Sequence, residues 1–281
     1  MVTDAQSGPE EYLMDINDLS PDILKQRLAG LPVSDIRYYE QTGSTNDDAL
    51  EWINQGAPDK GLVVADEQTA GRGRMDRRWV TRRGTSLAFS VIFKPEATEL
   101  VPFYAPLGAL GVALALEAAV EAQPSIKWPN DVLVGGKKVC GILAEAAWEG
   151  DRLAGLVLGI GINIATSAVR LEDDFLFPAD SLQHSLGRAL NRVELLVETL
   201  KQIFLWQNRL GSAEFMTEWN NRLAFRGQRV YINRPGMDGV AGEVLRIGQD
   251  GLLWIRQDNN IDISVSAGDV SLRQTGPKLN E

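Results

Sequence analysis

The chain has 281 residues, 44% hydrophobic and 23% charged, with a formal net charge of −10. This is the composition of an ordinary globular protein, long enough for one large domain or for a large and a small one. The acidic balance argues against broad, sequence-independent DNA binding, which draws on many Lys and Arg contacts to phosphates, and a single cysteine and a single histidine leave no intramolecular disulfide and no Cys/His metal cluster.

Residues 1–35 read as an acidic N-terminal extension with one helix, Asp22–Leu28, announced by a Ser20 cap and Pro21 at the first helical position. The extension is too short for a helix-turn-helix domain with its own core. Its first ten residues lack the basic-then-apolar pattern of a signal peptide, and with the lone Cys140 this leads us to expect a cytoplasmic protein. A strand over Ile36–Gln41 precedes Gly43-Ser44-Thr45-Asn46. A helix then runs to about Gln55, with Thr45 and Asp48 in a capping-box-like pair. Strands follow at Gly61–Glu67 and Thr85–Lys94, where apolar and small polar residues alternate. The apolar run Pro106–Val120 is broken by Glu117 and reads as part of a buried helix over Phe103–Ala122 rather than a membrane span.

Short strands at Ser125–Trp128 and Asp131–Val134 flank Pro129, and Gly135-Gly136 signals a hairpin into a strand over Lys138–Trp148. Another strand covers Leu153–Ile162, and helices cover Val193–Arg209 and Ala213–Leu223. Beyond residue 225 the pattern changes to five short strands with Gly, Asp and Asn turns, as in a small β-barrel. The expected division is 1–35, 36–225 and 226–275. His184 reads as an ordinary helix residue and Cys140 as small core filler.

Four segments carry chemistry. Ser44, Thr45 and Asn46 put short hydroxyl and amide groups at a helix N-terminus, which serves either as a plain cap or as a site for a polar uncharged group such as a urea. From Arg72 to Arg83 six arginines fall in twelve residues, directly after Gln68 at a strand end. Their planar forks suit carboxylate and phosphate oxygens, and Gly71 and Gly73 let backbone amides come close to an anion. A lid over a phosphorylated ligand and a solvated basic loop both satisfy that pattern. Trp79 at its end suits stacking on a flat ring or packing on the core.

The third segment, Lys127-Trp128-Pro129-Asn130-Asp131, is either a turn or a site for a nucleotide and magnesium. In the fourth, Lys138 enters an apolar strand, which is unfavourable unless the ammonium meets an anion. Gly141, Gly159 and Gly161 leave room beside that strand pair.

The ordered combination of these segments, through Lys138-Val139-Cys140-Gly141-Ile142-Leu143-Ala144-Glu145 and Gly159-Ile160-Gly161-Ile162-Asn163, resembles the biotin–protein ligases (biotin–[acetyl-CoA-carboxylase] ligases) over roughly Ile36–Arg273. The resemblance implies an α+β fold. Its parts are a mixed-sheet catalytic domain of the class II aminoacyl-tRNA synthetase type and a small Src-homology-3-like barrel. It also implies a two-step reaction, in which biotin and ATP, with magnesium, form biotinyl-5′-AMP and biotin then passes to a lysine of the biotin carboxyl carrier protein of acetyl-CoA carboxylase. No nucleic acid or membrane partner is expected, and the number of subunits stays open.

By position, the resemblance gives the biotin site to Ser44, Thr45, Asn46, Gln68, Arg72, Gly73, Arg74, Lys138, Gly141, Gly159 and Gly161. The nucleotide site falls to Arg72, Arg74, Trp79, Asn130, Asn163 and Arg273, with Asp269 near Arg273 in a stretch that aids nucleotide binding or carrier docking. Lys138, Arg74 and Asp131 are the residues expected to act on the reacting groups. Asp76 stands where the family often has glycine, adding a negative charge to the arginine loop. A lipoate ligase of the same superfamily is the nearest rival, and the Gly-Arg-Gly-Arg and Trp-Pro-Asn-Asp segments speak against it.

Overall fold

The computed structural model describes residues 19–75, 77–169, 177–234, 236–266 and 268–271. Asp76 and Arg273 lie outside the described residues, as does the start of the N-terminal extension. Helix α1 (Pro21–Leu28) begins as expected, with the Ser20 side chain accepting from the Ile23 amide.

Seven strands form one mixed sheet. They are β1 (Asp35–Thr42), β2 (Gly61–Gln68), β3 (Ser86–Phe93), β4 (Pro124–Lys127), β5 (Asp131–Val134), β6 (Lys137–Glu149) and β7 (Arg152–Asn163), in the order β1-β2-β3-β7-β6-β5-β4. Only β1 and β2 run parallel, with helix α2 (Thr45–Asn54) crossing between them. The other neighbours are antiparallel and joined in part by tight turns. Between β5 and β6 the turn falls on Gly135 and Gly136, both at positive φ, where a side chain would be strained.

The two faces of the sheet are covered differently. Helices α3 (Tyr104–Val120) and α5 (Arg192–Gln207) lie on one face, burying Leu107, Leu110 and Ile203 against Phe89, Leu158 and Ile160. Together with the turn before it, α3 is long and apolar enough to cross a membrane, yet Leu107, Leu110, Val112 and Leu116 are fully buried inside the protein. On the other face α2 packs Ala49, Trp52 and Ile53 onto Val63, Ile92 and Val157. Cover by α2 stops at its N-terminus, and the rest of that face is free to bound a cavity.

Two shorter helices complete the chain before the second sheet, α4 (Leu182–Leu186) and α6 (Ala213–Asn221). Five antiparallel strands then form that sheet. They are β8 (Arg229–Asn233), β9 (Val240–Ile247), β10 (Leu253–Arg256), β11 (Asp262–Val265) and β12 (Asp269–Ser271), in the order β11-β10-β9-β8-β12. One apolar cluster runs through both sheets. The Trp128 indole donates to Gly251 O at 3.1 Å, and the Asn220 carboxamide bonds both backbone groups of Ile247.

A buried charge pair ties α5 to β2. Arg192 opens the helix and pairs with Asp66, the two side chains being 1% and 4% exposed. Asp66 also accepts from the Gly84 amide and faces Arg83 at 3.4 Å. It therefore anchors the residues that lead from the arginine loop into β3. Removing one partner of such a pair leaves an uncompensated charge in a poorly solvated place. Arg192→Ala should cost about 3–5 kcal/mol of stability, read as a lower urea midpoint at unchanged slope. A midpoint equal to that of the parent would show that the pair contributes nothing.

Candidate active site

Strand register builds the floor of the cavity. Asp131 lies opposite Gly141, Gly141 opposite Gly161, and Gly161 opposite Ala88. Two residues along, Leu143 lies opposite Gly159 and Gly159 opposite Ser90. Cross-strand partners share a face, so both rows of mainly small side chains look toward the N-terminus of α2. The cavity above them has a volume of about 370 Å³. It is lined by Ser44, Thr45, Asn46, Gln68, Arg72, Gly73, Arg74, Trp79, Asn130, Asp131, Lys138, Gly141, Gly159, Gly161 and Asn163. The structure thus brings together these candidates named from the sequence, whereas Asp269 does not line the cavity and Arg273 lies outside the described residues.

One end is neutral and hydrogen-bonded. Thr45 donates its amide and its hydroxyl to Gln68 Oε1 at 2.8 and 3.1 Å, and accepts from Ser90 Oγ at 2.8 Å. Asn46 Oδ1 also accepts from Ser90 Oγ, at 2.7 Å. The cap differs from the sequence expectation. Ser44, not Thr45, is the N-cap, and Asp48 accepts from the Thr42 hydroxyl at 2.7 Å. Gln68 outcompetes the capping box because it offers Thr45 two bonds at once.

The room that two of these glycines leave beside the strand pair is shared with neighbouring side chains. A Cβ at Gly159 would overlap the Asn46 carboxamide, and one at Gly161 would overlap the Trp79 indole. Both glycines make room for neighbouring side chains that face the cavity. The Trp79 Nε1–H is buried with no hydrogen-bond partner among the described residues.

The other end is cationic. Asp131 binds Lys127 Nζ through one carboxylate oxygen at 2.8 Å and Lys138 Nζ through the other at 2.6 Å. Burial pushes the Asp131 carboxyl up, but the Lys138 and Lys127 ammoniums outweigh it and hold it below the usual carboxylate range. Lys138 reaches Asp131 because of an irregularity. The register shifts between Val132 and Leu133, so Lys138 instead of Val139 pairs with Leu133. One extra residue flips side-chain faces, which brings Lys138 onto the side of Asp131 and buries Val139 in the core. Both Asp131 oxygens are engaged, and no group of three acidic, His or Cys residues stands together among the described residues. These residues do not fit a protein-held magnesium ion.

The arginine loop folds back on itself over this end. Trp79 N donates to Gly71 O at 2.8 Å and Gly73 N to Arg77 O at 2.7 Å, and the base is stitched by Ala70 N to Gly43 O at 2.8 Å. Arg74 donates to Asn130 Oδ1 at 3.2 Å, and burial draws its guanidinium below the usual range. Asn130 donates in turn to Ile142 O, and Asn163 donates to Asp180 O at 3.1 Å. Arg72 forks onto Glu145 at 2.7 and 2.9 Å and reaches Asp47 at 2.6 Å.

Two residues that matter here, Ser90 and Glu145, are not singled out by sequence reasoning. Ser90 is only one of the small polar residues in an apolar strand, and Glu145 ends a motif without a role of its own. Lys127 is paired to Asp131 across the β4–β5 turn, and its ammonium lies 4.4 Å from the Phe177 ring centre. His184 is a helix residue as expected, and its ring Nδ1 meets Asp180 at 2.9 Å. Burial pushes the Cys140 thiol up, which suits core filler.

Comparison with known proteins identifies the family. Residues 38–163 match the biotin/lipoate A/B protein ligase family. The chain is 34% identical over 241 residues to the biotin–[acetyl-CoA-carboxylase] ligase of Mycobacterium tuberculosis, covering 82% of this chain and 86% of that protein. It is 39% identical over 164 residues to the bifunctional ligase/repressor BirA of Bacillus spizizenii, and the match spans 58% of this chain and only 50% of that relative. Among solved structures, the biotin protein ligase from Aquifex aeolicus in complex with biotin and ATP is similar with a TM-score of 0.74 and 28% identity, over 86% of this chain and 100% of that one. The chain belongs to the biotin–protein ligase family.

Proposed function

We propose that the protein activates biotin with ATP to biotinyl-5′-AMP and transfers the biotinyl group to a lysine of a biotin carboxyl carrier protein, the partner suggested by the name of the Mycobacterium tuberculosis relative. One observation carries the reading. A neutral polar end at Asn46, Thr45 and Gln68 and a cationic end at Lys138 and Arg74 share one cavity, one two-residue strand step apart along Gly159 and Gly161, roughly 7 Å. That layout suits a ligand with an uncharged head and a carboxylate tail. The urea of biotin takes the first end, and its carboxylate meets the α-phosphate at the second. Trp79, Asn130 and Asn163 border the nucleotide, and Arg273 with Asp269 belongs to the same assignment.

Two anions must meet for the first step. A biotin carboxylate oxygen bonds the α-phosphorus, and the bond to pyrophosphate breaks. Lys138 and Arg74 offset the charge that gathers as this happens, while Arg72 is held by Glu145 and Asp47 at the root of the loop. Lys138 leaves Asp131 for phosphate at little cost, because Lys127 stays behind to hold the carboxylate. Magnesium would arrive on the nucleotide phosphates, and the chain itself supplies the cations described. In the second step a neutral carrier amine bonds the acyl carbon, the bond to AMP breaks, and the amine's proton leaves with the departing phosphate or to solvent. Asp131, held ionised by two ammoniums, serves better to orient that amine than to take its proton. The arginine loop keeps water from the mixed anhydride.

We take 36–225 as the catalytic unit of the class II synthetase type and 226–275 as a Src-homology-3-like unit, with 1–35 as an extension. The break between α6 and β8 supports that division. A cytoplasmic site of action follows from the need for ATP and an intracellular carrier.

The direct test is incubation with labelled biotin, ATP, magnesium and a carrier domain, with lipoate as competitor. Label that stays off the carrier, or lipoate used in preference, would overturn the assignment. Lys138→Ala should slow biotin-dependent pyrophosphate exchange by roughly two to three orders of magnitude, and near-normal exchange would remove Lys138 from the step. Arg74→Ala should release free biotinyl-AMP faster, measured by trapping the adenylate after filtration. A variant that retains it as well as the parent would speak against the lid.

A depressed carboxylate keeps its ion pairs above its unfolded-state pKa and loses them only as pH falls through the lower folded value. Adenylate formation should therefore show no Asp131 protonation between roughly pH 5 and 8. An acid limb in that interval that vanishes in Asp131→Asn would contradict this.

A further inference from the structure

Glu145 stands on β6 on the same face as Leu143, and it holds two groups that border the cavity. Its Oε2 accepts from Asn46 Nδ2 at 2.7 Å and from Arg72 Nη2 at 2.9 Å, while its Oε1 accepts from Arg72 Nη1 at 2.7 Å. The Glu145 carboxylate raises the Arg72 guanidinium above its usual range, as a two-bond fork should.

The consequence for Asn46 is directional. A carboxylate only accepts hydrogen bonds, whereas a carboxamide has a donating and an accepting side. Facing Glu145, Asn46 must turn its nitrogen outward. That nitrogen also reaches Leu143 O at 3.3 Å. Its oxygen then points toward Ser90 Oγ, 2.7 Å away, and has a second lone pair for a ligand. Turned over, Asn46 would set two oxygens against each other and waste its only donor group. Glu145 thereby makes Asn46 an acceptor, the polarity that a urea N–H requires.

The same carboxylate grips Arg72 where the arginine loop begins, beside the backbone pairing of Arg72 with Arg78. The head-group pocket and the root of the lid meet at one side chain. We propose that Glu145 is a positioning residue for biotin recognition, fixing the orientation of the Asn46 carboxamide and anchoring Arg72 to the same point. This rests on the biotin reading above and extends it to a residue that need not touch the ligand.

The test uses the full chain and titration calorimetry with biotin, alongside KM for ATP in pyrophosphate exchange. Glu145→Gln should weaken biotin binding roughly tenfold or more, the loss of a charge-assisted bond, with KM for ATP unchanged. Asn46→Asp should weaken biotin binding as well, because two carboxylates then face each other. The double variant Asn46→Asp, Glu145→Gln should recover much of that loss, since the introduced carboxamide can donate to the introduced carboxylate while the second oxygen of that carboxylate still accepts from biotin. A packing role would not produce reciprocal rescue. Parent-like biotin binding by Glu145→Gln, equal losses for biotin and ATP, or a double variant no better than Asn46→Asp would each overturn the proposal, and the last comparison holds even if Glu145→Gln alone folds poorly. A parent protein that binds no biotin would instead defeat the functional reading, and the proposal with it.

Discussion

The cationic end of the cavity depends on one buried carboxylate. Asp131 is 7% exposed and sits between the ammoniums of Lys127 and Lys138. Neither lysine alone would be well placed there, since an unpaired ammonium inside a sheet is strongly disfavoured. With a shared carboxylate, two positive charges are held close together and only one is neutralised. The surplus is then available to an incoming anion, without side chains having to be gathered when it arrives. This is preorganisation in the sense that matters for charge developing in a transition state.

That carboxylate is placed by backbone register. A strict two-residue alternation along β6 would send Lys138 to the face opposite Asp131. The one-residue shift against β5 corrects this, and the extra residue, Val139, goes into the core where an apolar branch is welcome. The shift and the hydrophobic pattern therefore support one another. The glycines across the β6–β7 pair complete the arrangement. Any side chain at Gly159 or Gly161 would displace Asn46 or Trp79, so the neutral and cationic ends stay within reach of one small ligand.

Much of the fold was legible because its periodic patterns are local. β5 falls on the expected residues, and most other strands and long helices whose spans were expected differ by one or two positions at their ends. The five-residue α4 carried too little pattern to mark beyond His184. The site was legible in its members but not in its wiring. The family resemblance places Ser44–Asn46 and Gln68 together, but does not disclose that Gln68 takes over the Thr45 donors. A glutamate within a strand reads as a solvated residue until Asn46 and Arg72 are seen 2.7 Å away. Such partners are 73 and 99 residues apart in the chain, and no local spacing encodes them. The bulge at Val139 is equally silent, because a single shift leaves composition and propensity unchanged.

The overall charge sets a further constraint on how this cavity works. The chain carries a formal −10, while its cavity presents Lys138, Arg74 and Arg77. An anionic nucleotide approaching from afar meets a repelling average field, so long-range attraction does not bring it in. At physiological salt that field decays over about 8 Å, and the interior cations are felt only near the mouth. Binding must then rest on short, partly buried contacts that salt screens weakly. The arginine loop fits this scheme, because its hairpin bonds bring Arg74 inward against Asn130 and concentrate positive charge inside the cavity. An acidic exterior around a basic cavity favours ligands that match it closely over polyanions that merely collide with it.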